Sequence, residues 1–151
     1  MALNLVRAGK YTVTMLEKGP RIASHIQDYW SHVNLFSSNS LNMSATGRAV
    51  ISEQGGVLPD ADVYFSGGEF VEHYLQPLEK YLRDSGKCDM RFNNTVVSVG
   101  RKEAPKDKKV SDRASRPFQL LCSHGDEEYY VHADVGECVY IASMLIITYM
   151  L

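Results

Sequence analysis

The chain has 151 residues, a length that suits one domain with a sizeable core. Its 44% hydrophobic content separates it from disordered proteins, and its formal net charge of -2 exerts no global pull toward nucleic acid or anionic lipid. Three widely spaced cysteines, Cys88, Cys122 and Cys138, make no CxxC pair and no metal-ligand spacing, so a reducing, cytoplasmic setting without an essential disulfide is expected.

The opening "MALNLVRAGKY" is too short and too polar for a secretory signal. The sequons at Asn42 and Asn93 therefore read as chance matches. Leu3, Leu5, Val6 and Ala8 followed by Gly9 predict the last turns of a helix with a glycine cap. A strand follows over Tyr11–Glu17, with Val13 and Met15 on one face. Residues 18 to 65 read as loop-rich, with Tyr29, Trp30 and Phe36 as an aromatic cluster.

"SGGEFVEHYLQPLEKYLRDSGK" is the clearest helix. Ser66 and Glu69 have the spacing of a capping box, and Phe70, Tyr74, Leu78 and Leu82 form a helical stripe. Pro77 predicts a kink there, or a second helix start. Gly86 ends the element. "MRFNNTVVSVGRK" predicts a strand or strand pair, and Lys102–Lys109 a charged loop. A hairpin is expected next, with strands Phe118–Ser123 and Tyr129–Ala133 about a turn near Gly125. The apolar run from Cys138 to Leu151 falls short of the roughly 20 residues of a membrane-spanning helix.

This order predicts an α/β fold: a partial Rossmann-like parallel sheet with an antiparallel hairpin or meander inserted. In a dinucleotide-binding βαβ unit, an acid at the end of the second strand accepts hydrogen bonds from a ribose diol. Glu17 stands at such a position. The glycine-rich GxGxxG turn belongs about 20 residues upstream, but only 16 residues precede Glu17 and they contain none.

"AGKYTVTMLEKGPRIA", "WSHVNLFS", "SGGEFVEHYLQPLEKYL" and "MRFNNTVVSVGRK", in this order and spacing, resemble the FAD-binding part of two-dinucleotide-domain flavoproteins. Among these the chain is most similar to flavin-containing-monooxygenase-like, FAD-dependent pyridine-nucleotide oxidoreductases. The resemblance covers about residues 2 to 135 and leaves 136–151 as a divergent apolar tail. It implies FAD as cofactor and NADP or NAD on a second domain, which would make this chain an internal piece of a longer flavoprotein. It implies that Glu17 binds the adenosine ribose, with Lys18 and Arg21 in the turn beside it. Trp30, Phe36 and Ser37 would lie toward the flavin, and the backbone of Val96 would meet the adenine edge.

No catalytic acid, base or nucleophile is assigned. The histidines never fall at metal-ligand spacing, so no metal site is expected. Cys122 with His124 reads as structural. "SGG" before Glu69 reads as a cap rather than a phosphate turn. The expected partner is a dinucleotide, with no nucleic acid and no transmembrane segment. The alternative is a non-catalytic α/β module that binds a protein partner or has no activity of its own. The tail Ser143–Leu151 is expected beside Tyr11–Glu17, standing in for the absent first strand; the alternative is a by-product of an altered gene end that packs anywhere.

Overall fold

A computed structural model describes residues 1–102, 116–133 and 144–150, the last stretch as backbone alone. The charged loop predicted over Lys102–Lys109 therefore lies, beyond Lys102, outside the described residues. The elements run α1 (Ala2–Ala8), β1 (Tyr11–Glu17), a π-helical turn (Ile26–Trp30), α2 (Asn39–Asn42) and α3 (Ala45–Glu53). Then come α4 (Gly67–Phe70), a second π-helical turn (Val71–Leu75), α5 (Gln76–Asp84) and β2 (Cys88–Arg91). The chain continues with β3 (Thr95–Arg101), β4 (Phe118–His124), β5 (Glu127–Ala133) and β6 (Met144–Met150).

The fold is mixed α/β. One sheet has the order β2-β1-β6 and the other the order β3-β4-β5. β1 pairs parallel with β2, Val13 opposite Cys88 and Leu16 opposite Arg91. A parallel pair needs a long crossover, and residues 18–87 provide it. On its other side β1 pairs with β6, Met15 opposite Ile146 and Glu17 opposite Met144. The tail thus takes the expected place beside β1, but it runs antiparallel. The sheet predicted as parallel is parallel only at β1–β2.

β1 is buried from Val13 through Glu17 because it has a core on each face. Val13 and Met15 face the helical layer, joining Leu3 and Val6 of α1, Val50 and Ile51 of α3, and Leu78 and Leu82 of α5. Leu16 points the other way, onto Leu120, Cys122, Val131 and Ala133 of the second sheet. That sheet is an antiparallel meander. β4 and β5 turn at Gly125, whose φ of 59° favours glycine.

The segment read as loop, residues 18–65, holds a nine-residue helix, α3. Ser44 caps it by accepting the Gly47 N–H at 3.0 Å. Gly47, Val50 and Ile51 face inward at helical spacing. The glycine and threonine in "ATGRAVISE" lower helix propensity and hide this element from a sequence reading. Packing overrides propensity here, since a Cβ on Gly47 would lie 2.8 Å from two ring carbons of Tyr74.

The long helix starts with the expected capping box between Ser66 and Glu69. Pro77 marks a second start rather than a kink. The π turn lengthens the preceding hydrogen bond, Gln76 N–H to Val71 O, and Pro77 then sits in the first turn of α5 where its missing N–H is tolerated.

Candidate functional site at the carboxyl end of β1

Glu17 is the last residue of β1 and is 3% exposed. Its Oε1 accepts the Gly19 N–H at 2.8 Å, closing a tight turn on the strand end. Its Oε2 has no hydrogen-bond partner among the described residues. The acid at the strand end is thus a largely buried residue with one carboxylate oxygen engaged by the turn.

The turn after Glu17 is held from both sides. A Cβ built on Gly19 would overlap Ser24 Cβ and Oγ and come to 3.3 Å from Glu17 Oε1, so only glycine fits. Ser24 Oγ accepts the Arg21 N–H at 3.1 Å and donates to the Arg21 carbonyl at 2.6 Å. Ala23 takes a φ of 53°, in the left-handed region that alanine rarely adopts.

From the opposite side, Asn93 N–H donates to Gly19 O and Asn94 N–H to Glu17 O, each at 2.9 Å. Asn94 is buried, and its amide donates to Phe92 O at 2.6 Å. Tyr129 O–H of the meander donates to Asn94 Oδ1. His124 Nδ1 lies 3.0 Å from Asn93 O, a distance at which the ring N–H donates to the carbonyl. The sequence reading missed Ser24, Asn93 and Asn94. The signal for the last two was the pair "NN" between strands, since asparagine adopts the left-handed φ of 56° seen at Asn93.

Lys18 and Arg21 lie on this turn and are exposed. Arg21 reaches toward the first π turn, donating from Nε to Gln27 Oε1 at 3.0 Å and pairing with Asp28. It lines a polar pocket of about 360 Å³ with Gln27, Ser31, Gly68, Glu72 and Gln76.

The α4 terminus beside that pocket has no amides to offer a phosphate. Gly67 N–H donates to Val33 O, Gly68 N–H to Ser31 O and Glu69 N–H to Ser66 Oγ. The helix start therefore acts as a cap, and the Ser66 hydrogen bonds hold the Glu69 carboxyl below its ordinary range.

The remaining candidates lie elsewhere. Trp30 and Phe36 are exposed, on the segment that leads into α2. Ser37 Oγ donates to Asn42 Oδ1 at 2.7 Å. Val96 pairs with Cys122 in the meander and packs on the core around Leu16 and Leu120. The fold thus brings Glu17, Lys18 and Arg21 together in one turn, with Val96 behind it on the second sheet.

Cys122 is fully buried and its thiol is pushed up by desolvation, the reverse of what a nucleophile needs. Burial likewise pushes Cys88 up to about 11. Among the described residues no cluster of His, Cys, Asp and Glu could hold a metal ion, and no helix is long and apolar enough to cross a membrane. No family model, curated protein or solved structure matches the chain.

Proposed function

We propose that this chain supplies the adenosine side of an FAD site in an FAD-dependent, NAD(P)H-linked oxidoreductase of the monooxygenase-like kind. The observation that carries the reading is the Glu17 carboxylate. It is buried at the carboxyl end of a parallel strand pair, where ligands of open α/β sheets bind. Oε1 is oriented by Gly19 N–H, which leaves Oε2 to accept from a ribose hydroxyl. Lys18 and Arg21 border the same turn. When bound, the flavin would supply the redox chemistry. The residues here bind and orient its adenosine end, and NADP or NAD belongs to a different domain.

A second reading is favoured by β6. It occupies the place beside β1 as an antiparallel strand, and the α4 amides are already engaged. The α4 start then offers the pyrophosphate no cradle of backbone donors. In this reading the chain is a non-catalytic α/β module.

Amide chemical-shift mapping with FAD and with FMN, which lacks adenosine, separates the two. The first reading expects FAD, and not FMN, to shift Glu17, Lys18 and Gly19, with a dissociation constant weaker than micromolar. Glu17→Ala should weaken that binding about tenfold or more, because hydrogen bonds to charged groups contribute roughly 1.5–3 kcal/mol. No shift at these amides with millimolar FAD refutes the adenosine site and leaves the non-catalytic module.

A further inference from the structure

We infer that the polar pocket between the two π-helical turns is a binding site for a neutral, hydroxyl-rich molecule of monosaccharide size. Gln27 and Ser31 line it from the first π turn and its end, and Val71, Glu72 and Gln76 from the second. Arg21 and Gly68 complete the lining of this space of about 360 Å³. Single π turns are rare and recur at functional sites. Here both converge on one cavity. Glu17 does not line it, so the site is separate from the adenosine site proposed above.

Two glycines build its wall. The capping box needs Ser66 and Glu69 and sets no demand on the two positions between them. A Cβ on Gly67 would come to 2.6 Å from Trp30 O, and one on Gly68 to 3.1 Å from Ser31 O. The glycine pair therefore lets α4 lie directly against the end of the first π turn. The second π turn follows α4 without a break.

The groups on the wall decide the ligand. Arg21 donates from Nε to Gln27 and pairs through Nη2 with Asp28, which leaves Nη1 for the pocket. The Ser31 hydroxyl, the Glu72 carboxylate and the Gln76 carboxamide have no hydrogen-bond partner among the described residues. Donors and acceptors thus share one cavity. An ammonium only donates, and it would leave Arg21 Nη1 and the Gln76 amide hydrogens unmatched. A phosphate only accepts, and Asp28 and Glu72 oppose its charge. A hydroxyl both donates and accepts, so adjacent hydroxyls match this wall. Val71, 2% exposed, offers an apolar contact to the C–H face of a sugar ring. The volume lies in the lower part of the roughly 300–1,000 Å³ range of small-molecule sites.

The test is amide chemical-shift mapping of the full chain with D-glucose and with D-ribose, without FAD. It is read at Ser31, Gly68, Glu72 and Gln76, so its result is independent of the Glu17 turn. At least one of the two sugars should shift these amides with a millimolar dissociation constant. Glu72→Ala should weaken that binding about tenfold, because it removes charge-assisted hydrogen bonds. Glu127→Ala, on β5, should leave it unaltered. Both glutamates are exposed, so the circular dichroism of the variants should match that of the unmodified chain. No shift at these amides with either sugar overturns the inference. So does sugar binding that survives Glu72→Ala, or inorganic phosphate or methylammonium shifting the same amides at lower concentration than the sugars.

Discussion

Replacing Gly19 with alanine tests the site at its narrowest point. Gly19 does not have a positive φ, so the change introduces no backbone strain. Its whole effect comes from one methyl group entering the space of Ser24. Overpacking of this kind costs about 1–3 kcal/mol. Ser24 cannot move without loosening its two hydrogen bonds with the Arg21 backbone, each contributing about 1 kcal/mol. Gly19→Ala should therefore lower stability by about 2–4 kcal/mol, read as a lower urea midpoint at unchanged slope. Ser24→Gly removes the obstructing atoms together with both hydrogen bonds, at a cost of about 2 kcal/mol. The double variant should then be more stable than the sum of the single effects by at least about 1 kcal/mol. Additivity to within about 0.5 kcal/mol would refute the close approach on which this account of the turn depends.

Stability should also fall in acid partly through Glu69, whose carboxyl is held low by Ser66. That contribution is present above the ordinary carboxyl value of 4.5 and is lost as pH falls through the lower folded value. Glu69→Gln should flatten this part of a melting-temperature profile against pH, and an unaltered profile would contradict it. Cys88, with its thiol raised to about 11, should react with iodoacetamide near neutral pH more slowly than a free cysteine, and mass spectrometry of labelled peptides checks this. Ending the chain before Met144 removes the antiparallel partner of β1 and opens a buried edge, so the shortened protein should aggregate on light scattering. A soluble truncated chain with an unchanged melting temperature would show that β6 contributes nothing to the sheet.

The sequence by itself determined the elements whose signals are local. Gly9 ends α1 with a φ of 74° because only glycine takes that cap freely. Ser66 and Glu69 start the long helix because their side chains reach each other's backbone three residues apart. The hairpin about Gly125 follows from alternation on either side of a turn residue.

Tertiary structure decided what depends on distant partners. α3 exists because Gly47 accommodates Tyr74 and Val50 and Ile51 meet the core, contacts that outweigh a weak local propensity. The apolar tail was legible as a strand for β1, but its direction was not, because parallel and antiparallel strands share one side-chain alternation. Glu17 was legible as an acid at a strand end. Its burial, and its enclosure by Gly19, Ser24 and Asn94, required the crossover and the meander to bring residues up to 77 positions apart into hydrogen-bonding and van der Waals contact.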